Sequence, residues 1–209
     1  MGSAEPELTR TVYWTQFPAH ALTGTDWTDH QDAHRAIMRL YSSRLPGGPE
    51  QRRCGTGILY RVDPIENLLT VLIQSTIPPE LSPSTARTVS LPDRVWHISA
   101  AARIRFRVAL NPVRRHGNQT MPVPTRSIPA WIQVKLAGVL DEVQVLNITQ
   151  SKTRARRSRN QPGPPSLVIA TVDGLATVRD ADAFIALRSR GIGRAKAYGA
   201  GLLTAQRIA

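Results

Sequence analysis

The chain has 209 residues, of which 41% are apolar, enough for one large domain or two small ones with a proper core. Its formal net charge of +12, from 27 basic against 15 acidic residues, points to a polyanionic partner. The single cysteine, Cys54, excludes an intramolecular disulfide and argues against a zinc finger; no run approaches the roughly 18 apolar residues of a membrane span, so a cytoplasmic protein is expected, with no membrane partner.

Residues 1–8 read as a flexible lead-in. Residues 9–17, rich in β-branched and aromatic side chains, are expected to form the first strand. After a loop over residues 18–27, Thr28 is the expected N-cap of a helix, and Gln31 completes a capping box. Ala33, Ile37, Leu40 and Tyr41 recur at helical spacing and give that helix one apolar face. Residues 56–62 and 68–75 are expected strands around a turn at Asp63-Pro64. A Pro- and Ser-rich connection, residues 76–93, follows.

In residues 103–110, Arg103, Arg105 and Arg107 alternate with Ile104, Phe106 and Val108, the period of a strand with one buried and one cationic face. A second helix is expected over residues 129–139. Strands at 142–150 and 166–172 then flank a loop in which Lys152, Arg154, Arg156, Arg157 and Arg159 occur without an acid. Between two strands this is a hairpin tip of one sign, suited to phosphates. A helix over 181–190 and a strand over 202–206 complete the chain. The order implies an α+β protein of two tandem ferredoxin-like βαββαβ domains, residues 9–112 and 113–209, the second without a clear first strand. Aromatic residues make up only 5%, and no stacking platform is visible, so recognition of an RNA should be electrostatic and by shape.

The last connection reads Gly191-Ile192-Gly193-Arg194-Ala195-Lys196-Ala197-Tyr198-Gly199-Ala200-Gly201. Glycine allows positive φ and close approach of backbone N–H groups to an anion, and Arg194 and Lys196 add charge. It does not match a dinucleotide fingerprint, because Lys196 replaces the third glycine, nor a P-loop, because G-K-[ST] is missing. A helix-hairpin-helix turn in a DNA-binding protein remains a rival, provided a second helix follows.

Five histidines are present: His20, His30, His34, His97 and His116. His30 and His34 lie one helical turn apart, but no third metal ligand stands out, so neither a metal nor another cofactor is expected. RNA cleavage without a metal needs a base for the 2′-hydroxyl, an acid for the leaving 5′-oxygen and a cation for the phosphorane; histidine suits the first two.

The glycine loop with Leu202-Leu203, the stretch Phe106-Arg107-Val108-Ala109-Leu110-Asn111-Pro112-Val113 and the stretch Ala130-Trp131-Ile132-Gln133-Val134-Lys135-Leu136 together resemble the CasE (Cse3) family of CRISPR RNA-processing endoribonucleases of type I-E systems. The resemblance runs from about residue 9 to the C-terminus and is most specific in the final loop. It implies two RRM-like domains. It also implies cleavage of the repeat stem-loop of precursor CRISPR RNA, retention of the product, and membership of the Cascade complex with its other subunits. Matching the first helix places the family's histidine on His34, with Arg39 as a basic residue for the phosphate. Where many members carry a tyrosine three residues before the histidine, this chain has Gln31, which cannot supply a proton; His30 or Tyr41 is the candidate to compensate. A hairpin binder without cleavage is the alternative expectation. RNA-binding residues are then Lys152, Arg154, Arg156, Arg157, Arg159, Gly191, Gly193, Arg194, Lys196, Gly199 and Gly201, with Arg103, Arg105 and Arg107 on the cationic strand.

Overall fold

A computed structural model describes residues 11–41, 57–91, 93–117, 119–154 and 166–208. In the first sheet the central strand β1 (Val12–Pro18) pairs antiparallel with β3 (Leu68–Ser75) and with β4 (Arg87–Leu91), and β2 (Leu59–Ile65) lies outside β3. Helix α1 (His30–Arg39) covers one face: Phe17, Val71 and Ile73 of the sheet meet Ala33 and Ile37 of the helix and Leu40 and Tyr41 just beyond it.

Three local expectations for this half are corrected. The β2–β3 turn is at Glu66-Asn67, both with positive φ (47° and 66°), as a two-residue hairpin turn requires. Pro64 instead pairs with Leu69 inside β2. The strand tolerates it because β2 is an edge strand of its sheet, where one missing N–H need not break a ladder. The N-cap of α1 is Asp29, whose carboxylate accepts from Gln31 N and Asp32 N, while Thr28 Oγ1 donates to Asp26 at 2.6 Å and is therefore spent. Finally, the connection after β3 contains β4, but no helix occurs over residues 76–86, so this half lacks the second crossover helix of βαββαβ.

The second sheet has the order β10-β5-β9-β8, built from β5 (Arg103–Leu110), β8 (Leu140–Arg154), β9 (Ser166–Val178) and β10 (Leu203–Arg207). β5 supplies the first strand that the second half seemed to lack. The sheet pairing thus starts that half at Arg103, ahead of the boundary placed after residue 112. After β5 come a small hairpin, β6 (Val113–His116) with β7 (Gln119–Pro122), and helix α3 (Ile128–Leu136); helix α4 (Ala181–Arg190) joins β9 to β10. Ile104, Phe106 and Val108 bury against Ile128, Ile132, Leu136, Phe184 and Leu187, so the even residues of β5 face the helices. The odd residues face away, on the open side of the sheet.

The halves meet on that open side and through α2 (Asp93–Trp96), the short helix between them. Arg188 of α4 is fully buried, with its guanidinium 4.2 Å from the Trp96 ring. It donates to the carbonyls of Val95 and Trp96, which end α2. No carboxylate among the described residues pairs with it, and burial pushes its pKa down to about 10. From β3, Gln74 Nε2 donates to the carbonyl of Arg188 at 3.0 Å and closes the same joint.

Candidate active site and basic surfaces

Helix α1 starts in a knot of carboxylates. Asp26 accepts from the N–H and hydroxyl of Thr28, and Asp32 accepts from Asp26 N at 2.8 Å. With Asp29 capping, His30 is the first helical residue, and His34 follows one turn later. Both are half-buried. Gln31 and Arg39, by contrast, are exposed. Arg39 lies five residues after His34, about 140° around the helix, so the two do not share a face. Tyr41 is a core residue: its hydroxyl donates to Ser75 Oγ at 3.1 Å, and burial pushes its pKa up to about 12. Of the first-helix candidates, only the two histidines remain together. Cys54 falls outside the described residues.

A cleft of about 320 Å³ opens where α1, β2, the glycine loop and the β8–β9 hairpin converge. Among the described residues its walls include His30, Tyr60, Arg61, Thr149, Thr171 and Tyr198, and no carboxylate. The His30 and Tyr198 rings face each other, with centroids 6.2 Å apart and planes inclined by 46°. Burial holds the His30 pKa below the ordinary histidine value, against the opposing charge of Asp29. Tyr198 stands in a single 3-10 turn, Lys196–Tyr198, 164 positions after His34 in sequence; the composition of the loop drew attention to its glycines and cations, not to this ring.

The glycine loop does join a helix to the last strand, and its glycines explain how. Gly191 ends α4 with φ 70° and ψ 163°, a conformation essentially confined to glycine. Ile192 N then donates to Gly201 O at 2.9 Å, and Gly201 N to Ala109 O at 2.6 Å, so the loop is pinched at its base. A Cβ on Gly201 would lie 3.0 Å from the Ile192 carbonyl oxygen, and one on Gly199 would lie 3.2 Å from the Tyr60 ring. The N–H groups of Gly191 and Gly201 are thus engaged within the protein, donating to Leu187 and Ala109. They are not available to cradle a phosphate, as the sequence reading had expected. Lys196 Nζ donates to the Arg190 carbonyl at 2.6 Å, and the exposed part of the loop is Gly193-Arg194. The second helix of a helix-hairpin-helix is missing: one 3-10 turn is followed by β10.

The cationic face of β5 is divided. Arg107 is held by Asp173, with Nε 2.6 Å and Nη2 3.0 Å from its carboxylate oxygens, and Asp63 stands 4.0 Å away. Hydrogen bonding to Asp173 raises the Arg107 pKa. Burial raises the Asp173 pKa, but Arg107 outweighs that and the net shift is down. Arg103 and Arg105 are exposed. Arg105 and Trp14 line a second cleft of about 620 Å³ between the two sheets. Arg61 of β2, resting on the Arg107 carbonyl, lies between this cleft and the smaller one. Lys152 and Arg154 occupy the last rungs of β8, opposite Val168 and Ser166; Arg156, Arg157 and Arg159 fall outside the described residues. Among the described residues, no cluster of three His, Cys, Asp or Glu could hold a metal, and no helix is long and apolar enough to cross a membrane.

Comparison with known proteins bears on this geometry. The family described as CRISPR associated protein matches residues 14–207. Over 206 residues the chain is 26% identical to the CRISPR-associated endoribonuclease Cse3 of Thermus thermophilus, covering 90% of this chain and 94% of that protein. Among solved structures, CRISPR endoribonuclease Cse3 bound to 19 nt RNA superposes with a TM-score of 0.72 at 23% identity, over 93% of this chain and 99% of the other. A chain of a CRISPR RNA-guided surveillance complex gives 0.68 at 22%, over 94% and 100%. These structures share the tandem ferredoxin-like fold.

Proposed function

The chain belongs to the CRISPR associated protein family, and we propose that it is a metal-independent endoribonuclease that binds and cuts the repeat stem-loop of precursor CRISPR RNA. It then stays on its product in the cytoplasm as a subunit of a Cascade surveillance complex. One observation carries this reading: the relative named an endoribonuclease matches along nearly its whole length, and the first helix of this chain carries two histidines one turn apart, of which His30 lines a cleft with no carboxylate among its described lining residues. The net charge of +12 supplies the attraction for RNA. Membership of the complex rests on likeness to the surveillance-complex chain over its full length.

In the reaction the ribose 2′-oxygen attacks the adjacent phosphorus and its proton passes to a base. The bond to the 5′-oxygen breaks and that oxygen takes a proton from an acid. The products are a 2′,3′-cyclic phosphate and a 5′-hydroxyl. His34 carries one of these transfers, and Arg194 at the exposed loop tip is a candidate for phosphate contact.

The test is cleavage of the repeat RNA of the source genome in EDTA, by wild type and His34→Ala, with analysis of both product ends. A single cut ending in a cyclic phosphate, lost in the variant while binding persists, is the expected result. Tight binding by wild type without any cut would leave the hairpin-binding alternative in its place.

A further inference from the structure

Cleavage by this route needs two proton transfers, and His34 can perform only one at a time. The cleft beside α1, which His30 rather than His34 lines, offers few groups for the other. Its described lining residues include no Asp or Glu, and neither a phenol nor a guanidinium ordinarily exchanges its proton near neutrality. His30 is the one lining residue whose ordinary pKa is near neutrality.

His30 also carries an unmet demand. Its Nε2 is buried and has no hydrogen-bond partner among the described residues. A buried polar atom without a partner has lost its hydration with nothing in exchange, and such atoms call for a ligand or a functional explanation. The ring is held from two sides, by the start of α1 next to the Asp29 cap and by Tyr198 on the glycine loop. The opposite wall is the β8–β9 hairpin, whose far end leads into the basic segment.

We propose that His30 is a second catalytic residue of the ribonuclease, its Nε2 accepting the 2′-hydroxyl proton while His34 protonates the leaving 5′-oxygen. The inference rests on the ribonuclease reading above. The O2′–P bond forms as the P–O5′ bond breaks; one proton is taken up by His30 and one given by His34, and exchange with water restores both. Substrate in the cleft supplies the partner that Nε2 lacks. Burial favours the neutral ring that a base requires. The ionisable groups around it are Asp29 and His34 on its own element, Tyr198 on the loop, and Tyr60 and Arg61 on β2; the hairpin wall contributes only hydroxyls.

The test compares single-turnover cleavage by wild type, His34→Ala, His30→Ala and His30→Gln as a function of pH, with binding measured on repeat RNA carrying a 2′-deoxy sugar at the cut site. We expect both His30 variants to cleave at least about 100-fold more slowly, to bind the deoxy RNA within about twofold of wild type, and to lose the acidic limb of the pH–rate profile. Histidine NMR of the wild type provides a readout free of any folding defect: the His30 imidazole should titrate below the ordinary value and shift when the deoxy RNA binds. If wild type cleaves and His30→Ala cleaves within about threefold of it with the acidic limb intact, or if the His30 signal ignores the RNA, the inference is overturned while the ribonuclease reading stands. If wild type does not cleave, that reading fails first and this inference falls with it.

Discussion

Arg61, on the edge strand of the first half, donates from Nη1 to the carbonyl of Leu202, just before the last strand of the second half, 3.3 Å away. The same guanidinium reaches the Arg107 carbonyl and the Thr204 hydroxyl, and its Nε is fixed by both oxygens of Asp63 at 2.9 and 2.8 Å. Burial lowers the Arg61 pKa and Asp63 opposes that shift. Removing Asp63 leaves a desolvated cation without its counter-charge, a change that costs about 3 kcal/mol or more. Asp63→Asn should therefore lower the urea midpoint markedly. Arg61→Lys should do so too, because an ammonium cannot span acceptors on three strands. A midpoint unchanged in Asp63→Asn would mean that the joint is held by packing alone.

The glycines of the last loop are predicted to differ from one another. Gly191 has a backbone conformation closed to other residues, and a Cβ there would lie 2.9 Å from Leu59. Gly193 also has positive φ (74°) but is exposed, with nothing nearer than 4.0 Å to a Cβ. Gly191→Ala should cost roughly 2–3 kcal/mol and Gly193→Ala about 1 kcal/mol. Melting curves of the two variants should separate by several degrees. Equal losses would indicate that steric room plays no part and only φ matters.

What could be read from the sequence depended on how each residue shows its surroundings. β5 and α4 were legible to the residue. In β5 three arginines alternate with three core residues, and in α4 an Asp180 cap and a terminal glycine mark both ends. β4 was hidden because all five of its residues are exposed or nearly so, which erases any alternation. The β2–β3 turn was misplaced because proline signals a turn, whereas on an edge strand it need not be one. In the candidate site, the histidine pair could be found from spacing. The partnership of His30 with Tyr198 could not, since it depends on how a distant loop packs onto α1.

The pair Arg107–Asp173 gives a pH prediction. The Asp173 pKa is lowered in the folded state, so the carboxylate contributes stability above the ordinary carboxylate range and loses it as pH falls through the lowered value. Asp173→Asn should thus be less stable than wild type at pH 7, by about 1 kcal/mol given that Arg107 is partly exposed, and the gap should shrink as pH falls below the ordinary carboxylate range. A gap of the same size at pH 7 and at pH 3 would mean that the asparagine disturbs packing rather than charge.

Arg188 calls for an opposite expectation. Its Nε and Nη2 are buried without partners among the described residues, so the charge itself is a burden, while its stem packs on Trp96 and Phe184. Arg188→Met keeps the apolar volume and relieves the unpaired nitrogens, at the expense of the bonds to the α2 carbonyls; the net change should lie within about 1 kcal/mol. Arg188→Ala also opens a cavity and should cost about 2–4 kcal/mol. Chemical denaturation of both variants decides the matter. If the methionine variant falls as far as the alanine one, the carbonyl clamp on α2 outweighs the burden of the charge.

Two basic regions compete for the RNA, and salt dependence separates them. The first is the segment from Lys152 to Arg159, which starts in the last rungs of β8; the second is Arg103 and Arg105 on β5, of which Arg105 lines the larger cleft. Each phosphate contact adds about 0.7–0.9 to the slope of log affinity against log salt. If the segment between the strands meets about four phosphates, replacing its five cations by glutamine should flatten that slope by roughly three. Arg103→Gln with Arg105→Gln should then change it by less than one. The reverse pattern would seat the RNA between the two sheets, across Arg61 from the His30 wall, and cleavage by α1 would then require a different path for the scissile phosphate.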